Sequence, residues 1–288
     1  MKTRNRVNPK KFKGEIFMKK FLVLLLALVL VISLVACNTP EEETTEATTA
    51  GTTEGTTEGT TEVETNEQVP DAAMTYADFV AAEMEAEVLI EAYVQATQSW
   101  WDGKIVAYLQ DKDGAYFAYN MACTEEDAAK LVPGTKIRVS GYKGEYAGEV
   151  EILDATFTFV EGADTYIAEA TDVTAILGNE AELAKKMNFF AAFKGLTVVA
   201  SKDADGNDVA FLYKWNGSGS EGDDLYFKVS DGTNTYSFTV ESYLCGKDTD
   251  VYKAVKALKI GDKIDVEGFL YWYNGVNPHI TSVTVVTE

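Results

Sequence analysis

Aromatic residues gather in short segments that lie between the strand-like runs of this sequence. Exposed aromatic planes can stack on sugar rings or on bases, and each stacked base adds roughly 1–3 kcal/mol to binding. We therefore predict that these residues, with one neighbouring amide, bind a ligand: Trp100, Trp101, Tyr146, Trp215, Tyr271, Trp272, Tyr273 and Asn274. The alternative is structural, because Trp and Tyr at the root of a loop commonly plug the end of a small barrel.

A second cluster is acidic and surrounds Gly206: Asp203, Asp205, Asn207 and Asp208. Oxygen ligands at alternate positions around a glycine turn suit a hard cation such as Ca²⁺. The cluster lacks the trailing Glu that completes an EF-hand loop, and Asp-Gly is also a common hairpin signal. We therefore favour a turn, keep calcium as the alternative, and predict no metal and no cofactor.

No arrangement of residues indicates catalysis. Carboxylates are abundant, and a pair could meet in a cleft as in a glycosidase, but the sequence does not single one out. His279 is the one histidine, and it has no carboxylate or nucleophile at a recognisable spacing. A single histidine also argues against a Cys/His metal site, although Cys37, Cys123 and Cys245 are present. The glycines of residues 217–222 indicate a flexible connection and do not form a phosphate-binding motif. We predict no catalytic residues and no enzyme.

The charge balance of the chain is strongly acidic. The 288 residues hold 46 Asp and Glu against 25 Lys and Arg, a formal net charge of −21. Eight of the basic groups but only one acidic group lie in residues 1–37, so the remainder is more acidic still. Such a chain repels phosphate backbones, and no basic cluster follows Lys20. Carbohydrate or protein is therefore favoured over nucleic acid as the partner.

The elements that must position these residues follow from the apolar and polar pattern after Met74. Residues 74–84 have helical spacing, and strand-like runs follow at 88–97, 104–110, 115–121, 136–142 and 150–160. Between the third and fourth runs, Thr124 caps a helix over 124–131 that Pro133 and Gly134 stop. Five strands with a helix between the third and fourth is the element order of an OB-fold, a small Greek-key barrel.

The second half of the sequence repeats this order. Residues 134–142 align without gaps on residues 261–269, and both match the pattern G-x-K-I-x-V-x-G-aromatic. The strand-like runs of this half are 195–201, 209–213, 224–230, 235–242, 263–271 and 279–286, with helical spacing over 248–258. Self-similarity on this scale predicts a duplicated fold.

The duplication makes specific predictions about the matched positions. We expect four apolar side chains of the motif to face inward: Ile137, Val139, Ile264 and Val266. The paired glycines, Gly141 and Gly268, should let the fourth strand of each barrel coil sharply. Cys123 and Cys245 fall at equivalent positions of two separate domains, which favours free buried thiols over a disulfide.

The N-terminal residues have the layout of an export signal. An apolar run over residues 21–36 follows Lys19 and Lys20 and ends in the letters LVAC at Cys37, and this run is short for a membrane-spanning helix. We predict that residues 1–37 are this signal and that the true start is Met18. Residues 38–73 are rich in Thr and Glu, a composition that predicts a disordered linker.

Two resemblances follow from these motifs. The LVAC ending resembles the lipobox of bacterial lipoproteins, which implies that Cys37 carries lipid and holds the chain on the outer face of the cell membrane. Residues 87–288 resemble the tandem OB-fold modules of exported lipoproteins of low-GC Gram-positive and wall-less bacteria, through segments such as WWDGK at Trp100 and GFLYWYNG at Gly268. The resemblance implies a mainly β protein with two five-stranded OB-like barrels, at 74–162 and 163–288, each with a short helix between strands three and four. It carries over no catalytic residue.

Three functions fit this organisation. OB-folds bind ligands on the face of strands two and three and in the loops that join strands one to two and four to five, where the candidate aromatic residues lie. The first hypothesis is a lipid-anchored, extracellular binding module for a carbohydrate or a protein. One alternative is a module for single-stranded nucleic acid. The other is a structural or assembly protein of the envelope, which would bury the loop aromatic residues.

Overall fold

The computed structural model describes residues 72–286. The predicted export signal with Cys37, nearly all of the predicted linker and the last two residues lie outside this range. Within residues 72–286, no helix is long and apolar enough to cross a membrane. The two barrels described below lie in one compact unit.

The first half of the described chain forms a closed five-stranded barrel, which a short helix α1 (Tyr76–Ala81) precedes. Its elements are β1 (Glu87–Thr97), β2 (Lys104–Gln110), β3 (Ala115–Ala122), α2 (Glu125–Ala128), β4 (Lys136–Tyr146) and β5 (Glu149–Phe159). The strands pair in the order β1-β2-β3-β5-β4, and β4 pairs back with β1. β3 and β5 run parallel, whereas the other pairs are antiparallel. This is the OB-like barrel that the sequence predicts.

Local sequence explains where the two helices begin. Thr75 caps α1 through reciprocal hydrogen bonds with Asp78, and Thr124 caps α2 by accepting the backbone N–H of Asp127 at 3.1 Å. The predicted cap at Thr124 is therefore confirmed. Both helices are shorter than predicted. After α2 the chain continues to Leu131 through i to i+3 turns instead of α-helical bonds.

The connection between the barrels contains three short elements that the sequence analysis did not predict. They are β6 (Thr171–Asp172), a 3₁₀ turn (Thr174–Ile176) and α3 (Glu180–Ala184). β6 extends the second barrel by pairing in parallel with its first strand. Elements of two to five residues are too short to show a period of their own, which is why the pattern missed them.

The second half forms a barrel with the same strand order. Its elements are β7 (Phe190–Val199), β8 (Ser201–Lys202), β9 (Asp208–Val209), β10 (Phe211–Tyr213), β11 (Leu225–Ser230), β12 (Thr235–Val240), α4 (Asp250–Ala257), β13 (Lys263–Phe269) and β14 (His279–Val285). The ring runs β7-β11-β12-β14-β13 and closes through the pairing of β13 with β7. β12 and β14 are parallel, like β3 and β5. The predicted duplication is therefore confirmed in strand order.

The predicted bounds of several second-barrel elements differ from the structure by one or two residues, and those of the first strand differ most. β7 begins at Phe190, five residues before the predicted start at 195. The register between β7 and β13 shifts near Lys194 and Gly195, and Gly195 has a φ of 62°. This irregularity interrupts the alternation of apolar and polar residues, so the pattern indicates only the second half of the strand.

The matched motif occupies the same place in both barrels. Ile137, Val139, Ile264 and Val266 are buried in the barrel cores, as predicted. Gly141 and Gly268 lie at β-bulges of the fourth strands. A Cβ atom would come within 2.5 Å of the Leu153 carbonyl oxygen at the first position and within 2.2 Å of the His279 carbonyl oxygen at the second. Only glycine lets the fourth strand approach the fifth this closely.

Each barrel has its own hydrophobic core, and a third cluster joins the two. Val106, Tyr108 and Phe117, on the outer face of β2 and β3, pack against Phe269 of the second barrel. The rings of Tyr108 and Phe269 stack with centroids 4.4 Å apart. The first barrel therefore docks on the second through the face of its strands two and three.

Candidate functional site

An open cleft of about 710 Å³ lies on the outer face of β11 and β12, the second and third strands of the second barrel. Side chains alternate along these strands, so Phe227 and Phe238 point into the core while Tyr226 and Lys228 point into the cleft. The strand residues that line the cleft, with those next to the strand ends, are Asp224, Tyr226, Lys228, Ser237, Thr239 and Glu241.

Two loops and the first barrel form the walls of this cleft. The loop that joins the first and second strands contributes Trp215, and the loop that joins the fourth and fifth contributes Tyr271 and Tyr273. The first barrel adds Tyr119, together with Gln98 and Phe117. Three of the predicted ligand-binding residues, Trp215, Tyr271 and Tyr273, are thus brought together. Aromatic planes on several sides of an open groove can hold a flat ligand unit by stacking.

A hydrogen-bonded group of rings forms the floor of the cleft. The Tyr108 hydroxyl and His279 Nδ1 are 2.7 Å apart, and Gln98 Nε2 donates to the same hydroxyl at 3.2 Å. The His279 ring stacks on Tyr271 with centroids 4.1 Å apart. Burial lowers the pKa of His279 to about 3, so this imidazole is neutral at physiological pH.

Two carboxylates occupy neighbouring positions at one end of the cleft. Asp224 precedes β11 and Glu241 follows β12, directly beyond the paired residues Leu225 and Val240. Burial, and then the charge of Asp224, raises the pKa of Glu241 to about 7. Ser242 donates to Asp224 Oδ1 through its N–H at 2.9 Å and its hydroxyl at 2.6 Å. Neither carboxylate forms an ion pair within residues 72–286, although Glu241 Oε2 accepts the Leu244 N–H at 2.7 Å. Both groups line the cleft and can accept further hydrogen bonds from a ligand.

Trp272 does not line this cleft, and its burial favours the structural alternative for this residue. Its side chain is only 5% exposed, because the loop that carries it packs against the β4–β5 turn of the first barrel. The Trp272 backbone N–H donates to Glu149 Oε2 at 2.8 Å. The Asn274 N–H likewise donates to the Ala147 carbonyl at 2.7 Å. The plug interpretation therefore applies to Trp272.

The same junction buries an ionisable group. Glu149 is fully buried, and burial raises the pKa of its carboxyl to about 8, although hydrogen bonds from Trp272 and Asn188 favour the ionised form. Glu149 Oε1 and Asn188 Oδ1 are the two buried side-chain oxygens that lack a partner in the described part of the chain. A protonated Glu149 carries an O–H that can donate to such an oxygen, which fits a carboxyl that is largely neutral at pH 7.

The remaining predicted loop residues lie elsewhere. Trp100 Nε1 donates to the Cys123 carbonyl at 2.8 Å, and the Trp100 ring lines a separate groove of the first barrel. Trp101 is 76% exposed and does not line the cleft. Tyr146 is exposed, and its ring centroid lies 6.1 Å from that of Tyr273, a residue of the cleft lining. Tyr146 is therefore next to the cleft, whereas Trp100 and Trp101 lie apart from it.

The acidic cluster forms the turn of the β8–β9 hairpin. Asp203 Oδ1 accepts the backbone N–H groups of Asp205 and Asn207 at 2.9 and 2.8 Å, and Asp203 Oδ2 accepts from the Asn207 amide at 3.1 Å. Asp208 pairs with Lys202 at 2.8 Å. These contacts use the carboxylates to shape the turn, as in the favoured interpretation.

The sequence analysis missed the cleft residues that lie on the strands. Tyr119, Tyr226, Lys228 and Glu241 all occupy outward positions of strands two and three or directly follow them. The alternation over 224–230 and 235–242 was the available signal, because it separates the inward set from the outward set. The loop residues by themselves do not indicate this outward set.

Comparisons with known proteins add little to this description. No protein-family model and no curated protein match the sequence. Among solved structures, the HINb domain of p204 aligns with a TM-score of 0.32 and 11% identity, over 71% of this chain and all of its own. A murine DNA-binding protein solved with double-stranded DNA aligns with a TM-score of 0.32 and 12% identity, over 69% of this chain and 97% of its own. A replication protein A heterotrimer solved with single-stranded DNA aligns with a TM-score of 0.24 and 11% identity, over 68% of this chain and 50% of its own. The assignment of OB-like barrels rests on the strand order and not on these similarities.

Proposed function

We propose that this chain is a non-catalytic binding protein that holds an uncharged oligosaccharide in the cleft of its second barrel. The observation that carries the proposal is the position of the cleft. It lies on the face of strands two and three, with the adjoining loops as walls, and OB-folds bind oligosaccharides and oligonucleotides on this face.

The composition of the cleft favours a sugar. Rings of Trp215, Tyr226 and Tyr273 offer stacking surfaces, while hydroxyl, amide and carboxylate groups between them can bond to sugar hydroxyls. Lys228 is the single cationic side chain among the described residues that line the cleft, against Asp224 and Glu241. A polyanion would bring its phosphates close to Asp224 and to Glu241, which is partly ionised at pH 7 because its pKa is raised to about 7, and this approach is unfavourable.

Single-stranded nucleic acid is the second candidate. Lys228 lies beside Tyr226 on the strand face, and an aromatic ring next to a cation is the usual means by which an OB-fold holds a base and its phosphate. This candidate requires a steep salt dependence, because binding would release counterions from the phosphates.

Ligand binding can be tested with the full chain in detergent on a glycan array, followed by titration of any hit. We expect Trp215→Ala and Tyr273→Ala to weaken binding about tenfold each, because each removes one stacking surface worth roughly 1–3 kcal/mol. Trp101→Ala is the matched control, since Trp101 and Trp215 are 76% and 73% exposed but only Trp215 lines the cleft. Binding of oligothymidylate that falls steeply with salt, without any glycan signal, would favour the second candidate.

We also propose that the chain is anchored to the outer face of the cell membrane through a lipid on Cys37. The support is the apolar run that follows Lys19 and Lys20 and ends in LVAC at Cys37. Intact mass spectrometry of protein from membranes should show an acylated chain that begins at Cys37. The variant Cys37→Ser should leave the membrane fraction, and an unmodified Cys37 thiol in membrane-bound protein would contradict the anchor.

A further inference from the structure

His279 has an unusual position in the cleft. It begins β14, is only 7% exposed, and still contributes to the cleft lining. Its Nδ1 is held by Tyr108 at the junction of the barrels. It is also the only histidine in the chain.

The hydrogen bonds around Tyr108 assign the protonation of this ring. The Tyr108 oxygen accepts from Gln98, and its phenolic proton donates to His279 Nδ1, because this buried hydroxyl has no other acceptor among residues 72–286. Since the imidazole is neutral, its own proton then resides on Nε2. Tyr108 is thus a positioning residue that fixes the tautomer of His279.

The Nε2 atom has no hydrogen-bond partner among residues 72–286. The cavity that His279 lines is the cleft. A ring held at Nδ1 by Tyr108 can turn its other nitrogen toward the space where a ligand would lie.

We propose that His279 is a specificity-determining residue of the cleft, whose Nε2–H donates one hydrogen bond to a neutral oxygen of a sugar unit, a hydroxyl or an acetamido carbonyl. The inference rests on the proposed function and extends it to the chemistry of the ligand. A neutral donor suits a neutral acceptor, and the carboxylates Asp224 and Glu241 on the same cleft oppose an anionic one. A ligand that lacks the acceptor would leave the donor dehydrated and unpaired, which is the basis of discrimination.

The test uses the full chain in detergent with ¹⁵N-labelled histidine, whose single imidazole gives an unambiguous NMR signal. At pH 7 we expect a neutral ring with the proton on Nε2 and no titration of the ring between pH 5 and 8. The variant Tyr108→Phe removes the phenolic donor, so the signal should shift toward a mixture of tautomers. A proton on Nδ1, or a charged ring, in the wild-type protein would overturn the inference.

The second part of the test adds triacetylchitotriose and cellotriose as probes. We expect binding of at least one probe to shift the Nε2–H resonance. His279→Phe, which keeps a flat ring without the donor, should weaken that binding by about tenfold to a hundredfold, the loss expected when one hydrogen bond to the ligand is removed. Trp101→Ala should leave it unchanged.

The outcomes separate this inference from the proposed function. A probe that binds but leaves the Nε2–H resonance unmoved overturns the role of His279 and leaves the sugar-binding function standing. If neither probe nor any arrayed glycan binds, the proposed function fails, and the role of His279 toward a sugar fails with it. A shift caused only by oligothymidylate would likewise overturn the sugar assignment and transfer the donor to a nucleobase oxygen. Because the NMR experiment uses the wild-type chain, it holds even if His279→Phe does not fold.

Discussion

The two barrels share one strand order but use the same face in opposite ways. In the first barrel three outward side chains of strands two and three, Val106, Tyr108 and Phe117, are apolar or aromatic and pack against the second barrel. Tyr119, farther along strand three, is 44% exposed and lines the cleft. In the second barrel the equivalent face carries polar outward residues such as Lys228 and Glu241 and remains open as the cleft. The inward residues are apolar in both. The outward side chains of strands two and three therefore distinguish the barrel that docks from the barrel whose face stays open to a ligand.

The largest expected effect concerns the docking face. Phe269→Ala removes a ring that stacks on Tyr108 and lies 5.4 Å from the Phe190 ring. We expect a loss of about 3–5 kcal/mol in the free energy of unfolding, as for other buried Phe→Ala changes, measured by urea denaturation.

The matched control is the equivalent residue of the first barrel. Tyr142 occupies the same position of the motif but is 42% exposed. Tyr142→Ala should cost less than about 1 kcal/mol, the range of surface substitutions. Equal losses of unfolding free energy in Phe269→Ala and Tyr142→Ala would contradict the view that only Phe269 packs at the junction of the barrels.

A second comparison concerns what the barrels share. Gly141→Ala and Gly268→Ala each force a Cβ atom onto a carbonyl oxygen of the fifth strand. We expect each to destabilise the protein by about 2–3 kcal/mol, the cost of overpacking against backbone that cannot move far. Gly246→Ala is the control, because its Cβ would meet its nearest neighbour at 3.6 Å, an ordinary contact. A tolerated substitution at one motif glycine alone would show that the two bulges are not equivalent.

The third comparison uses the start of the fifth strands, where Glu149 and His279 are both buried ionisable groups at the junction. The folded-state pKa of Glu149 is raised to about 8 from an ordinary value of 4.5, so the folded form retains a proton that the unfolded form releases between these values. Stability should therefore fall as the pH rises through this window. Glu149→Gln keeps the shape of the side chain but cannot ionise, so its free energy of unfolding should not fall over this pH window for this reason. At pH 9 the variant should be more stable than the wild type by on the order of 2–3 kcal/mol.

Urea denaturation at pH 5, 7 and 9 measures this dependence. Glu145→Gln is the control, because Glu145 lies near the end of β4 close to Glu149 but is exposed. It should follow the wild type at every pH. If Glu149→Gln loses stability in parallel with the wild type from pH 5 to pH 9, then Glu149 is not the group that titrates.

Much of the fold could be predicted because the signal is local and appears twice. The alternating motif that contains Ile137 and Ile264 predicts both a strand and the face of that strand that points inward. Its occurrence in both halves of the sequence supports this prediction. The limits of β2 were predicted to the residue, since Lys104–Gln110 is bounded by turns. β7 was only half recognised, because the irregularity at Gly195 interrupts its alternation.

The site could be predicted only in part, because it depends on which faces meet. Trp215 and Trp272 occupy similar loop contexts in sequence, yet one is 73% and the other 5% exposed. The difference arises from the packing of one barrel against the other, and a period-2 pattern carries no information about that packing. The sequence shows no catalytic partner for His279 and gives no sign of its environment. Its place on the cleft floor depends on the contact with Tyr108 from the other barrel, which no local pattern indicates.

The smallest expected effect concerns a position where the barrels differ just after the motif. Leu270 follows the motif in the second barrel and lies in its core, whereas Lys143 follows it in the first. The Lys143 ammonium donates to the carbonyls of Phe79, Val80 and Ala82 at 2.9, 2.8 and 2.7 Å, which caps the end of α1. Lys143→Met should fit the apolar surroundings but leave these carbonyls without their donor, at a cost of about 1–2 kcal/mol.

The residues that lose hydrogen-exchange protection in Lys143→Met show whether Lys143 stabilises the end of α1 or the whole barrel. Hydrogen exchange should speed up at the amides of α1, such as those of Phe79 and Ala82, which donate within the helix. Strands β2 and β3 should keep their protection, since the hydrogen bonds of the Lys143 ammonium go to carbonyls of residues 79–82 and not to these strands. Lys112→Met, at an exposed lysine of the β2–β3 turn, should change neither measurement. Uniform loss of protection across the barrel in Lys143→Met would mean that the ammonium supports the barrel itself, and that α1 is not the element it holds.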